Sequence, residues 1–216
     1  MKEGKVMDTL KREIASELSS ESLWLDPALL ADMLTGALVA ADKSKSAIDR
    51  CASVYLSYAG GELKVAATDR YRLVIGRAHL GVDGSLSEIQ IRVPDVKRIL
   101  ALLKECKRMP HVALNRTGDL LEVFCEGNKV LADLGGQTFP DVSHVFKDSS
   151  PITGLSLNGD YIGSFAKVPS SDKDHRLDLE FTTARVGGAE FPSAIMIKVP
   201  HDTIAWECAL MPMRVR

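Results

Sequence analysis

The sequence predicts an α+β fold built from three copies of one unit, in which a strand is followed by a helix and then by three more strands. Two observations support this prediction. Apolar residues recur at helical spacing after an aspartate-proline pair, and alternating apolar runs separated by glycine-containing turns follow them. The same order then recurs along the 216-residue chain, so we expect helices gathered on one side of continuous, mostly antiparallel sheets.

The first unit begins with a short strand, Ser22–Leu25. Asp26 and Pro27 then supply an N-cap and a proline at the first helical position. The helix that follows has one apolar stripe, consisting of Leu30, Met33, Leu34, Ala37, Leu38 and Ala41. Three strands are predicted after it, over Cys51–Tyr58, Glu62–Thr68 and Tyr71–Ala78, with Gly60-Gly61 as the first turn.

The second unit repeats this order from strand Glu88–Val93, and Pro94 opens its helix. The apolar face of that helix consists of Val96, Ile99, Leu100 and Leu103, and its three strands are His111–Asn115, Leu120–Cys125 and Lys129–Leu134. The third unit has strand Thr153–Leu157 and a short helix that Asn158 caps. Its later strands are Leu177–Phe181, with Leu177, Leu179 and Phe181 as core residues, then Ile195–Val199 and Ile204–Leu210; Gly187-Gly188 is interpreted as a turn.

Glycine, proline and serine mark residues 135–151 as a connector between domains. We therefore predict a complete domain of two units over residues 21–134 and a half domain of one unit over residues 152–216. Residues 1–20 have Met7, Leu10, Ile14 and Leu18 at helical spacing, which predicts an amphipathic helix. Because three units cannot pair among themselves, one of them is expected to need a partner from another chain.

Bulk composition is that of an ordinary soluble globular protein. The formal net charge is −2, so the chain is not a polycation that binds nucleic acid indiscriminately. The four widely separated cysteines predict reduced core thiols in a cytosolic protein, without a disulfide framework or zinc site. No run approaches the about 20 apolar residues of a membrane span.

Positive charge is concentrated on the second helix, predicted over Pro94–Arg108. It has five basic and only two acidic residues, hence a net charge of +3. Lys97, Lys104 and Arg108 lie opposite the apolar stripe, and the loop after the first helix adds Lys43, Lys45 and Arg50. Two interpretations remain open: a solvated helix face, or a surface that faces phosphates without reading bases and binds in a salt-sensitive way.

The sequence has no motif that predicts catalysis. It lacks G-x-S-x-G, H-E-x-x-H and the G-x-x-x-x-G-K-[ST] phosphate loop. Acidic residues cluster within Ser170–Glu180, but they are interpreted as a surface loop and a solvent-facing strand, not as a metal site. We therefore expect no enzyme activity, no metal and no cofactor.

The polar Thr68–Arg72 block at one hairpin tip would, on pattern alone, be a solvated turn. Leu63–Ala78, however, resembles the ATD-x-x-RL hairpin of the bacterial DNA polymerase III beta sliding clamp. Four further stretches resemble that family in the same order: the valine-proline helix at Ile91–Glu105, the FPD connector at Gly135–Phe146, the helix-bearing segment at Leu155–Val168 and the LMPMRL end at Ala209–Arg216. The resemblance covers residues 21–216.

This resemblance implies the DNA-clamp fold, with helices inside and antiparallel sheets outside a ring that encircles double-stranded DNA. It also implies a pocket in which DNA polymerase, the clamp loader and repair enzymes insert a short motif of glutamine and hydrophobic residues. One wall would consist of Thr68, Arg70, Tyr71, Arg72 and Leu73, and the other of Met211, Pro212, Met213 and Arg214, with Val145 nearby. Family members often have glycine and histidine where Arg70 and Tyr71 stand, which bears on peptide preference.

The DNA-facing surface implied by the resemblance consists of Lys43, Lys45, Arg50, Lys97, Arg98, Lys104, Lys107 and Arg108. A usual clamp has three domains of two units each. We expect this chain to lack the equivalents of the first domain and of half the third, as would suit a compact clamp encoded by a bacteriophage. It would act in the cytoplasm of a bacterial or phage-infected cell, near the nucleoid.

Rings of this family contain twelve units, so three units per chain predict a head-to-tail homotetramer. One alternative stays open. A clamp-like interaction protein, or decoy, would keep the pocket and bind clamp partners without encircling DNA.

Overall fold

A computed structural model describes residues 20–42, 50–142, 157–173, 176–181, 183–186 and 189–212. The predicted strand Thr153–Leu157, apart from its last residue, lies outside the described residues, as does the predicted N-terminal helix up to residue 19. The first unit contains β1 (Ser20–Leu25), α1 (Pro27–Ala37), β2 (Ser53–Ala59), β3 (Glu62–Thr68) and β4 (Arg72–His79). The second contains β5 (Leu86–Arg92), α2 (Val93–Glu105), β6 (Val112–Thr117), β7 (Leu120–Cys125) and β8 (Asn128–Gly135).

The third unit contains α3 (Gly159–Phe165), β9 (Asp178–Glu180), β10 (Thr183–Val186), β11 (Ala189–Pro192), β12 (Ile195–Lys198) and β13 (Ala205–Leu210). The predicted order of elements is thus confirmed for units one and two. In unit three the β10–β11 hairpin is additional. The sequence predicts a turn at Gly187-Gly188, and these two residues fall outside the described residues.

The helix caps form as the sequence predicts. Asp26 Oδ1 accepts hydrogen bonds from the backbone N–H of Ala28 at 2.7 Å and of Leu29 at 3.4 Å. Asn158 Oδ1 likewise accepts from the N–H of Asp160 at 2.9 Å. These side-chain oxygens satisfy N–H groups that have no partner within the helix.

Both long helices end earlier than predicted. Helix α1 ends at Ala37, with Leu38 as its C-cap, and Ala41 is buried beyond its end. Helix α2 ends at Glu105, so Lys107 and Arg108 lie in the following turn rather than on the helix as predicted. Its buried residues include Leu102 as well as the predicted Val96, Ile99 and Leu103.

Units one and two exchange their first strands. Strand β1 pairs with β6, and β5 pairs with β2, both antiparallel. Two four-stranded sheets result, β1-β6-β7-β8 and β5-β2-β3-β4, and the β5–β8 pair joins them edge to edge. Helices α1 and α2 pack against each other and against these sheets, so both sheets have an inner, helix-facing side and an outer side.

The third unit extends this sheet. Strand β13 pairs along β4, from Ala205↔Arg77 to Leu210↔Arg72, which gives the order β1-β6-β7-β8-β5-β2-β3-β4-β13-β12-β9. Trp206 inserts its ring where Gly36 of α1 and Gly76 of β4 leave space. A Cβ atom on Gly76 would lie 2.5 Å from Trp206 Cζ3, so only glycine permits this approach.

The prediction that Leu179 and Phe181 belong to the core is wrong. Leu179 is 38% exposed and Phe181 is 43% exposed. The reason is that β9 lies at the end of the sheet and, among the described strands, pairs with β12 alone. Alternation along a strand does not reveal whether another layer covers it.

The described residues share one main hydrophobic core, which includes Phe165 and Val168 of the third unit. All four cysteines are buried and free, as predicted for core thiols. Burial raises the pKa of Cys208 to about 12 and also that of Cys106 to about 12, so both thiols stay protonated at neutral pH. Among the described residues, no helix has the length and apolar character to cross a membrane.

Candidate functional site

Asp69 holds the tip of the β3–β4 hairpin in place. Its Oδ1 accepts hydrogen bonds from the backbone N–H of Tyr71 at 3.0 Å and of Arg72 at 2.7 Å. Its Oδ2 accepts from Nε and Nη2 of Arg72 at 2.9 and 2.6 Å. Because Asp69 is only 7% exposed, these charge-assisted bonds are poorly screened by solvent and fix the tip strongly.

Thr68 and Arg70 complete the turn. Thr68 Oγ1 donates to the backbone oxygen of Arg72 at 2.8 Å and accepts from the N–H of Arg70 at 3.1 Å. Arg70 has a φ of 77°, in the left-handed region that costs a non-glycine residue about 1 kcal/mol. The tip is therefore an ordered, strained structure and not the freely solvated turn that pattern alone favours.

The third unit contacts this tip through helix α3. Arg72 Nη1 donates to Ser164 Oγ at 3.1 Å, and Arg72 Cζ lies 4.7 Å from the centroid of the Tyr161 ring. The rings of Tyr71 and Tyr161 lie 6.2 Å apart. Arg72, which Asp69 holds by an ion pair within the first unit, thus joins that unit to the third by a hydrogen bond and a cation–π contact.

Strand β13 supplies the opposite wall. Its pairing with β4 continues one residue past its end, where the backbone N–H of Met211 donates to the oxygen of Tyr71 at 3.0 Å. Tyr71 and Met211 are 53% and 44% exposed. Two large apolar side chains therefore stand at the surface where the first and third units meet.

These elements enclose a cavity of about 400 Å³, which we call the tip cavity. Its lining contains Thr68, Arg70, Tyr71, Arg72, Leu73 and Met211 from the predicted pocket, together with Arg50, Cys51, Pro140, Asp141, Val142 and Ala209. Pro212 follows directly in the chain but is not part of the lining. The other predicted pocket residues, Val145, Met213 and Arg214, lie outside the described residues.

The connector forms a wall of the tip cavity through Pro140, Asp141 and Val142, whereas the sequence interpretation named only Val145 from the connector. Phe139 and Val142 pack on the outer side of the β5-β2-β3-β4 sheet, against a small cluster that includes Leu73 and Ala209. The ring of Phe139 lies 5.1 Å from that of Tyr55. The FPD motif was a signal for this wall, because an aromatic residue before a proline in a connector needs a surface to cover it.

Charge at the tip cavity is mostly positive. Three arginines, Arg50, Arg70 and Arg72, line it beside one acidic residue, Asp141, and Asp69 neutralises Arg72. Burial raises the pKa of the Cys51 thiol above its ordinary value, although Arg70 acts in the opposite direction. The thiol is therefore protonated at neutral pH and is not an activated nucleophile. An apolar floor beside guanidinium groups suits binding of a peptide.

The predicted DNA-facing residues do not all lie on one surface. Lys97, Arg98, Lys104, Lys107 and Arg108 are all exposed on α2 and its following turn. Arg98 Nη1 lies 2.7 Å from Asp95 Oδ1, so part of its charge is compensated. Arg50 instead lines the tip cavity, because it directly precedes the buried Cys51 beside the β3–β4 tip. Lys43 and Lys45 lie outside the described residues.

In the described part of the chain, no three histidine, cysteine, aspartate or glutamate side chains are grouped as metal ligands. Two acidic residues of the Ser170–Glu180 stretch are paired with cations instead. Asp178 Oδ1 lies 3.3 Å from Arg176 Nε, and Glu180 Oε2 lies 3.5 Å from Lys198 Nζ.

Comparison with solved structures identifies the fold. A DNA polymerase III beta subunit from Thermotoga maritima matches with a TM-score of 0.64 and 13% identity, over 91% of this chain and 66% of that one. The beta chain from Streptococcus pneumoniae matches with a TM-score of 0.62 and 15% identity, over 90% of this chain and 65% of that one. The beta subunit from Borrelia burgdorferi matches with a TM-score of 0.66 and 11% identity, over 90% of this chain and 64% of that one.

The chain has the fold of the DNA polymerase III beta sliding clamps and spans about 65% of the length of those chains. At these identities the likeness concerns the fold. No protein-family model and no curated protein matches the sequence.

Proposed function

We propose that this protein is a DNA sliding clamp, a non-enzymatic processivity factor that encircles duplex DNA and docks DNA polymerase and a clamp loader. The observation that carries the proposal is the tip cavity, which the β3–β4 tip, the connector and β13 form together in a chain with the clamp fold. In this proposal the protein works on DNA in the cytoplasm of a bacterial or phage-infected cell.

The tip cavity is the proposed docking site for a short linear motif. Its floor contains the buried Leu73, and its rim contains the exposed Tyr71 and Met211. Methionine re-packs at little cost, which suits a site that accepts several related peptides. We expect a few buried anchor side chains of the peptide to supply most of the binding energy.

Peptide titration tests this docking site. A peptide with one glutamine followed by hydrophobic residues should bind the native chain, and Met211→Asp and Tyr71→Asp should abolish the binding. Both side chains are exposed, so the fold should persist. Val82→Asp, at a 37% exposed apolar residue away from the tip cavity, is the matched control. Undiminished binding by both tip variants would remove the cavity from consideration.

The exposed cations Lys97, Lys104 and Arg108 are the proposed DNA-facing surface. Contacts to phosphates are sequence-independent, and each one lost should lower the salt dependence of binding by about one unit. Replacement of all three by glutamate should therefore reduce retention on circular DNA. A control with the same charge change, Lys129→Glu with Arg176→Glu and Lys198→Glu, should retain DNA like the native chain. Equal loss in both variants would mean that α2 has no special role.

A ring requires several copies of the chain, and four copies would supply twelve units. In the described residues β9 ends the sheet and pairs with β12 alone, which leaves an edge available to a neighbouring copy. Light scattering should give the mass of four 23.5 kDa chains, 94 kDa in all. A mass that stays at one or two chains at every concentration would exclude the tetramer.

A clamp-like interaction protein that does not encircle DNA is the second candidate. It shares the tip cavity with the first candidate, and the two differ in whether the protein encircles DNA. A clamp that encircles DNA should slide off linear DNA but stay on circular DNA, and this difference separates the two functions. A protein that binds the peptide but shows no retention on circular DNA would be this second type.

A further inference from the structure

The outer side of the β1-β6-β7-β8 sheet has five apolar residues, which the ion pair between Glu122 and Lys129 divides into two groups. The register places Trp24, Ala113 and Phe124 side by side on three adjacent strands, and Leu131 and Leu120 follow diagonally on β8 and β7. Their neighbours along the strands, such as Leu23 and Val123, face the main core. We call these five residues the outer band.

Four residues of the outer band are exposed to a degree that is unusual for their size. Trp24 is 54% exposed, Leu131 41%, and Leu120 and Phe124 each 37%. Ala113 is only 2% exposed because it lies between Trp24 and Phe124. At one end, Trp24, Phe124 and the segment 109–111 surround a hollow of about 270 Å³. The exposed apolar surface of Trp24 and Phe124 around this hollow indicates an interaction site.

In the other sheet, the corresponding apolar surface is covered. The outer side of β5-β2-β3-β4 has Ala66, Leu73 and Ile75, all buried. They are covered by Phe139 and Val142, which belong to the connector that directly follows β8. An adjoining stretch of chain therefore covers one outer side, and the equivalent side of the second sheet has its outer band exposed.

Residues 1–19 precede β1 of that second sheet in the chain. They lead directly into Ser20, the first residue of β1, which pairs with Thr117 in the same row as Leu120. They contain Met7, Leu10, Ile14 and Leu18 at helical spacing. Nineteen residues in a helix would extend about 28 Å, and four strands are about 14 Å wide. This segment can therefore reach every residue of the outer band.

We propose that residues 1–19 lie across the outer side of the β1-β6-β7-β8 sheet and cover the outer band with their own apolar stripe. The occupant is thus a segment of the same chain. This inference is independent of the proposed clamp function, because it concerns a different side of the molecule from the tip cavity and from the exposed cations of α2.

Fluorescence of Trp24 in the full-length chain tests the proposal. Leu10→Asp with Ile14→Asp places two charges in the stripe and should release the segment. Emission should then shift to longer wavelength, and acrylamide should quench it more strongly. Thr9→Asp with Ser16→Asp adds the same charge on the opposite side of the predicted helix and should leave the spectrum unchanged. Trp206 is only 6% exposed, and the Trp24→Phe background should abolish the response.

Trypsin cleavage after Lys11 or Arg12 gives a reciprocal test. Phe124→Asp with Leu131→Asp should accelerate cleavage by removing the surface on which the segment lies. Leu179→Asp with Phe181→Asp, at exposed apolar residues elsewhere, should not. Equal quenching of Trp24 in the native chain and the Leu10/Ile14 variant would overturn the proposal. Protection of Trp24 that disappears on dilution would also overturn it, since the cover would then be a second copy.

Discussion

The β3–β4 and β7–β8 hairpins hold equivalent places in the first and second units but end in different ways. Strands β7 and β8 are joined by a two-residue turn, Glu126 and Gly127, with φ values of 43° and 81°. Such a turn matches the twist of its strands and needs nothing else to hold it. Strands β3 and β4 are joined by a longer tip that the buried carboxylate of Asp69 organises.

The strand beyond each hairpin differs as well. Strand β8 pairs with β5 inside the two-unit domain, whereas β4 pairs with β13 of the third unit. The tip cavity lies where the longer tip and the added strand coincide. The comparison shows that a repeated unit gains a cavity, which we propose as the docking site, through two local additions without a change of its fold. These additions are a polar tip and a neighbouring strand.

The largest expected effect comes from removing the Asp69 carboxylate. Asp69→Ala deprives two backbone N–H groups and the Arg72 guanidinium of their acceptor, in a place where both side chains are mostly buried. Breaking a buried ion pair on one side typically costs about 3 kcal/mol. We expect a loss of this size in the free energy of unfolding, measured with denaturant, together with loss of peptide binding.

The matched control lies on the other hairpin. Glu126→Ala keeps a side chain at a two-residue turn that no buried network supports, so it should change the free energy of unfolding by less than about 0.5 kcal/mol. Asp69→Asn should fall between these results, since an amide oxygen still accepts backbone hydrogen bonds. Equal small losses for all three variants would mean that the Asp69 network does not fix the tip.

A smaller effect is expected from Gly76→Ala, which disturbs the attachment of β13. The added Cβ would lie 2.5 Å from Trp206 Cζ3 and 3.1 Å from Val65 Cγ1. Overpacking of this kind costs about 2 kcal/mol. Near-ultraviolet circular dichroism and denaturant unfolding should report the displaced indole and the loss of stability.

Gly81→Ala is the corresponding control, because a Cβ atom there would meet nothing within 4 Å. Combining Gly76→Ala with Trp206→Phe should cost less than the sum of the two single changes, since the smaller ring leaves room for the methyl group. Strict additivity would show that Gly76 is not needed to make room for the Trp206 ring.

Local features of the fold follow from the sequence because their causes are local. Asp26 and Asn158 cap helices through side chains two or three residues from the groups they satisfy. Glycine-containing turns fix both hairpins of the second unit. The exchange of β1 and β5 between units is different, because it depends on which edges meet in space, and no periodicity along one strand encodes that choice.

The site was predictable in part. The resemblance brought Thr68, Arg72 and Met211 together on the basis of their order in the chain, and the structure places all three at the tip cavity. Arg50 was grouped with the cations of α2 because a sequence shows which residues are charged but not which surface of the molecule they face. Leu179 was assigned to the core because alternation shows two sides of a strand without showing which side is covered.

The smallest expected effects compare the left-handed residues of the two tips. Gly127→Ala at a φ of 81° should cost about 1 kcal/mol, since a Cβ atom is disfavoured there. Arg70→Gly should relieve the same strain at a φ of 77°. It also removes a cation–π contact, in which Arg70 Cζ lies 6.0 Å from the centroid of the exposed Tyr71 ring, worth about 0.5 kcal/mol.

The two changes should therefore move the free energy of unfolding in opposite directions, with a net gain below about 1 kcal/mol for Arg70→Gly. Peptide affinity should change in that same variant, because Arg70 lines the tip cavity, while Gly127→Ala should leave it unchanged. A fall in peptide affinity with Arg70→Gly would mean that the strained backbone at this residue holds a side chain that contacts the peptide. A stability loss with Arg70→Gly would instead assign Arg70 a structural role through Tyr71.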